Sequence, residues 1–164
     1  MAVSYMAKSC CFFKATRGLH QGDPISASIF IIAQNVLSRN LHLSLINGSI
    51  MAYRRRLGVS LVSHLMFADD SLILINGLCI SLQGLNNVLD DYYHWSGQQV
   101  NKNKSCFYTS SRCTSERISL VVSHLNIPRG VFPMEYLGAP LAFGRLQIHD
   151  FNQLSSKILA RILN

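Results

Sequence analysis

Downstream of Asp23-Pro24, apolar residues recur at helical spacing: Ile29, Phe30, Ile32, Ala33, Val36, Leu37 and Leu41. Asp23 offers a capping carboxylate, and Pro24 falls at the first helical position, where its missing N–H leaves no bond unmade. Asn47-Gly48 closes the run with turn chemistry. Two short runs rich in strand formers follow, 61–67 and 71–75, with Ala68-Asp69-Asp70 between them. Two buried strands joined so tightly predict a hairpin with the carboxylates at its tip. A second helix is predicted with Leu85, Val88, Leu89, Tyr92 and Trp95 on one face, closed by Ser96-Gly97. The stretch 100–108 reads as a strand region broken by Lys102 and Lys104. A third amphipathic helix carries Ile118, Val121, Val122 and Leu125, an extended piece covers 134–141, and a last helix carries Phe151, Leu154, Ile158 and Ile162. Helices interleaved with closely spaced strands give a mixed α/β (α+β) class with antiparallel pairing.

Composition narrows the classes. At 164 residues with 49% hydrophobic and 14% charged, the chain can bury a core and is not a disordered tail. So little charge also suggests apolar surface that faces a further part of the protein. The balance of +7 favours polyanionic partners, which by itself is a weak pointer to nucleic acid. Five cysteines without a C-x-x-C pair show neither zinc-ligand spacing nor a disulfide framework, so a reducing compartment is expected. No run of about twenty uncharged apolar residues is present, and no membrane partner is expected. Residues 1–22 hold Lys8, Lys14 and Arg17 and no acid, superficially like a transit peptide, but they run directly into a motif described next.

Two constellations carry candidate chemistry. In Phe67-Ala68-Asp69-Asp70 the adjacent carboxylates repel each other, and apolar strands beside them would add a desolvation cost. A divalent cation such as Mg²⁺, which takes oxygen ligands and shares substrate phosphates, would supply the compensating charge. A plain polar hairpin turn is the alternative. Asp90-Asp91 is an internal comparison: it lies off the apolar stripe of its helix and reads as a solvated face. The second constellation is Arg17-Gly18-Leu19-His20-Gln21-Gly22-Asp23-Pro24-Ile25-Ser26, two glycines flanking a glutamine ahead of a helix N-terminus. Such a loop admits close backbone approach, and the helix start attracts phosphate, although glycine before a helix is also ordinary loop-and-cap architecture.

The second constellation resembles the G-x-x-Q-G-x-x-x-S motif of reverse transcriptases in its LINE-like form, and Ser63-His64-Leu65 leading to Phe67-Ala68-Asp69-Asp70 resembles the acidic hairpin of the same family. Ser96-Gly97-Gln98-Gln99-Val100-Asn101 with Lys104-Ser105 is similar to the S-G-Q-x-I-N-x-x-K-S segment of plant LINE polymerases. Tyr136-Leu137-Gly138-Ala139-Pro140-Leu141 with Gly144-Arg145 resembles the stretch leading into the thumb. Four motifs in the right order span nearly the whole chain and are specific together. The resemblance implies a fragment of an RNA-directed DNA polymerase from a non-LTR retrotransposon. Its fold would be a partial right-hand polymerase palm, an antiparallel sheet packed by helices with the start of a thumb. Residues 1–125 would be palm and 126–164 the palm/thumb connection.

The resemblance also implies roles. Asp69 and Asp70 would be catalytic and metal-binding, Gln21 and Gly22 would line the template and nucleotide site, and Ser26 would brace that loop. Lys104 falls where related polymerases bring a lysine to the leaving phosphate; a solvated lysine is the alternative. Mg²⁺ or Mn²⁺ would be the cofactor, and RNA template, DNA primer and deoxynucleotides the partners, in the nucleus or cytoplasm and not outside the cell. The implied reaction is attack of a primer 3′-hydroxyl on a nucleotide α-phosphate with two metals stabilising the attacking and leaving oxygens. Departures are equally specific. The family holds its metals with a further Asp on a strand preceding the Q-G motif, and residues 1–22 offer no acid for it. Fingers, endonuclease and RNase H modules are expected to lie outside these residues. His20 stands where arginine is usual and Ser28 where proline is usual. The alternative function is a non-catalytic remnant with at most weak nucleic-acid binding.

Overall fold

The computed structural model describes residues 2–5, 8–12, 22–53, 62–142 and 144–163. It divides into two units, Met1–Val100 and Asn101–Asn164.

In the first unit, β1 (Ala2–Tyr5) pairs antiparallel with β2 (Lys8–Phe12). Helix α1 (Pro24–Ile46) begins as its sequence predicts: the Asp23 carboxylate accepts from the Ile25 N–H at 2.9 Å, and Pro24 occupies the first turn. β3 (His64–Phe67) and β4 (Asp70–Ile73) form the expected hairpin, shorter than the apolar runs. Ile75 extends it through a single antiparallel bridge to Ala52. Helix α2 (Cys79–Ser96) packs against α1.

The core of this unit is built from Leu37 and Leu41 on α1, Ile50 in the following turn, and Leu82, Leu85, Val88 and Tyr92 on α2. The close approach between the helices has a specific cause. Gly84 lies so near the α1–β3 connection that a Cβ there would stand 2.3 Å from the Ser49 carbonyl oxygen. Ser81, fully buried, accepts the Met51 N–H at 2.9 Å, so the chain leaving α1 is fastened to α2 at adjacent turns. Trp95 departs from expectation. It is half exposed and edge-on to Tyr92, because the last turn of α2 extends beyond the core. Asp90 and Asp91 are exposed, as their register predicts.

Helix α1 has 23 residues and Arg39 as its sole Lys, Arg, Asp or Glu, so by length and composition it could cross a bilayer. That differs from the expectation that no segment would meet this test. The stripe that packs on α2 includes the buried Ser44, the pattern of a helix lying against protein on one side.

In the second unit, the predicted strand at 100–108 is instead a turn followed by a single bridge from Phe107 to Arg129. The cause is Asn101, whose carboxamide oxygen accepts from the N–H groups of Asn103 and Lys104 and curls the chain. Helix α3 (Ser115–Leu125) ends at Asn126 in the left-handed conformation. The extended piece at 134–141 is a hairpin: β5 (Met134–Tyr136) and β6 (Ala139–Leu141) are joined by Leu137 and Gly138, both at positive φ. A 3₁₀ turn (Ile148–Phe151) leads into α4 (Asn152–Ile162), whose Lys157 pairs with Glu135 on β5 at 2.8 Å. Antiparallel pairing among the described residues is thus distributed over three two-stranded ribbons with helices between them in sequence.

Candidate active site

Phe67 pairs with Asp70 across the β3–β4 ladder, which leaves Ala68 and Asp69 as a two-residue loop. Ala68 takes φ +48, the left-handed conformation that a side chain resists and a tight hairpin demands. Asp69 is the loop's second residue and Asp70 the first residue of β4. The two carboxylates thus follow one another directly at the tip. Both are exposed, and among the described residues neither is in an ion pair. The desolvation expected from the apolar flanks is therefore absent. Phe67, 63% exposed, and Ala68 leave the tip open to water.

The hairpin is docked by its base. Leu41, Leu45 and Ile50 meet Ser63, Ile73 and Ile75 around a cleft too tight for water. His64 then reaches Ser38, with Nε2 and the hydroxyl 2.7 Å apart. The contacts with α1 therefore step toward its N-terminus as β3 runs toward the tip.

Gly22 stands just ahead of the Asp23 cap at φ +93, a conformation that glycine alone adopts without strain. Among the described residues, no atom beyond its chain neighbours lies within 4 Å of where its Cβ would be. Gln21 and Arg54–Arg56 lie outside the described residues. Lys104 belongs to the second unit, exposed on the turn that Asn101 organises.

Asp69 and Asp70 could contribute oxygens to a Mg²⁺ that keeps waters and borrows phosphates. They do not complete a metal site, since no group of three or more metal-ligating side chains occurs among the described residues.

Sequence reasoning overlooked His64 as a functional candidate. Its Nδ1 lies 2.8 Å from the Ser63 hydroxyl while Nε2 meets Ser38. Burial, with the neighbouring His42 as the smaller contribution, lowers its pKa below the ordinary 6.5. Strand alternation gives no signal for it. His64 and Met66 share the half-buried face of β3, while the more apolar Leu65 and Phe67 face outward, the reverse of a hydrophobicity reading.

A hairpin with adjacent carboxylates at its tip, docked against a glycine-preceded helix in a mixed α/β frame, has the makings of a polymerase palm. The family model described as reverse transcriptase (RNA-dependent DNA polymerase) matches residues 3–141, and the chain belongs to that family. The family implies a nucleic-acid template and nucleotide substrates. No curated protein and no solved structure matches the chain significantly.

Proposed function

We propose that this chain is a palm segment of a plant LINE-type, non-LTR reverse transcriptase, with residues 126–164 leading toward the thumb. Asp69 and Asp70 are its metal-binding carboxylates, Gln21 and Gly22 line the template and nucleotide site, and Lys104 serves the leaving phosphate. Mg²⁺ or Mn²⁺, when bound, would supply charge stabilisation to nucleotidyl transfer. The observation that carries the reading is the acidic pair at the hairpin tip, preceded in order by the Gly22-Asp23-Pro24 helix start.

The same observation bounds activity. Phosphoryl transfer needs metals held between carboxylates and substrate phosphates, and Asp69 and Asp70, adjacent on one tight turn, would hold them from one side. Asp90 and Asp91 lie on the exposed face of α2 and do not supply the other. The 164-residue polypeptide should therefore show no detectable incorporation of labelled deoxynucleotide on an RNA template with Mg²⁺ or Mn²⁺. A longer polypeptide that adds an acid-bearing strand upstream should be required for extension. Extension by the 164 residues that disappears in Asp69→Ala would overturn this; extension in both would indicate a contaminating polymerase.

A further inference from the structure

We propose that His64 is a positioning residue for the Asp69–Asp70 tip, its ring joining Ser38 on α1 to Ser63 at the hairpin base and so holding the β3–β4 hairpin in one placement along the helix. The inference rests on the reading of that tip as catalytic. Four observations carry it. Both ring nitrogens are within hydrogen-bond distance of a serine hydroxyl, at 2.7 Å to Ser38 and 2.8 Å to Ser63. The Ser38 bond joins residues 26 positions apart and ties α1 to β3, beside the apolar packing of Leu41 and Leu45 with Ile73 and Ile75 at the hairpin base. His64 lies three residues from Phe67, which pairs with Asp70, so a shift of the ring on α1 passes along a short, stiff strand to the carboxylates. The neighbouring tie, Leu74 N–H to the Ser63 carbonyl at 2.7 Å, fixes the other end of the same lever.

The chemistry of the contact makes it titratable. In the neutral ring one nitrogen donates and the other accepts, and each serine hydroxyl can turn to suit. Protonation converts both nitrogens to donors, which the serines can still accept, so the hydrogen bonds do not oppose it. Half-burial opposes it first, and His42, the titratable group facing it from α1, opposes it by like charge. Arg39, beside Ser38, is exposed. On β4 the residue opposite is Ile73, and the carboxylate of that strand, Asp70, is at the far end of the ladder. No acid therefore rewards the charged ring. Since the folded-state pKa lies below the ordinary 6.5, the unfolded chain binds the proton more tightly. The part of the docking stability that rests on a neutral His64 is then fully present above pH 6.5 and is lost progressively as pH falls through the folded value.

The test is amide hydrogen exchange on the ¹⁵N-labelled full chain between pH 5 and 8, corrected for intrinsic rates. The hairpin is read at Leu65, Leu72 and Leu74, with Leu85 and Val88 in α2 as the internal reference. Hairpin protection should fall below pH 6.5 with the same midpoint as the His64 ring resonance, while α2 stays constant. Ser38→Ala should lower hairpin protection about fivefold to tenfold at pH 7.5, the worth of one hydrogen bond, and Ser38→Thr should restore it. His64→Ala should abolish the pH step, and His42→Gln should move its midpoint upward. A flat profile in the unmodified chain, or a step that survives in His64→Ala, would overturn the proposal. If His64→Ala loses α2 protection as well, the decision passes to the unmodified chain and His42→Gln, whose midpoints must differ. Mn²⁺ broadening of the Asp69 and Asp70 amides tests the underlying reading separately. A pH step without such broadening would leave a structural contact and overturn the positioning role.

Discussion

At the scale of single residues, the hairpin tip shows what a tight acidic turn demands. Ala68 holds φ +48 without glycine's freedom, a conformation that costs an alanine roughly 1 kcal/mol. Ala68→Gly should therefore stabilise the chain by up to about 1 kcal/mol, the relief of strain being offset in part by the greater entropy of unfolded glycine. Chemical denaturation measures this, and a loss of stability in Ala68→Gly would show that the alanine methyl has a packing role. The sequence identified Asp69 and Asp70 through their apolar neighbours, yet the tip is solvated. Two runs of strand formers establish a hairpin, but which flanking side chains cover its end depends on what packs there.

At the scale of elements, the α1–α2 pair turns on one absent side chain. Ser49 carbonyl oxygen, Ser49 carbonyl carbon and the Ile50 side chain would lie 2.3, 2.9 and 3.1 Å from a Cβ at Gly84. Helix propensity favours Gly84→Ala by about 1 kcal/mol, but a backbone carbonyl cannot step aside, and overpacking costs about 1–3 kcal/mol. The net expectation is a lowered melting temperature; a rise would mean that the connection after α1 is free to move. The S-G-Q motif also acquires an element-level account. Gly97 takes the left-handed cap with its N–H on the Tyr93 carbonyl, Ser96 bonds the Tyr92 carbonyl, and the buried Tyr92 hydroxyl donates to Gln98 at 2.5 Å. This segment ends α2 and anchors its last turn, whatever else it does in the family.

At the scale of the whole molecule, charge is the property that reaches furthest. Asn101–Asn164 holds eight Lys and Arg against three Asp and Glu, and the Arg54–Arg56 run adds to the basic balance. Single-stranded RNA should bind weakly, without sequence preference, and less tightly as salt rises. With about three phosphates neutralised, the log–log salt slope should be roughly −2. Replacing Arg54–Arg56 with alanine should make the slope shallower. Affinity indifferent to salt, or unchanged by that replacement, would count against a nucleic-acid surface on these residues.

The sequence alone determined the elements whose causes are local. Asp23-Pro24 starts α1 because a carboxylate and a ring suffice to start a helix, and Gly97 ends α2 because a left-handed cap needs little else. The acidic hairpin was legible for the same reason. The β1–β2 ribbon was not, since residues 1–12 carry none of the Gly, Asn or Asp that announce a tight hairpin. The supposed strand at 100–108 failed because Asn101 captures the N–H groups a ladder would use. Tertiary structure decided the rest. It set how far the hairpin reaches along α1, which face of β3 turns inward, and that His64 meets a serine 26 residues away. Those outcomes depend on non-local packing, where side chains distant in sequence exclude water together, and no periodicity in a single segment encodes its partner.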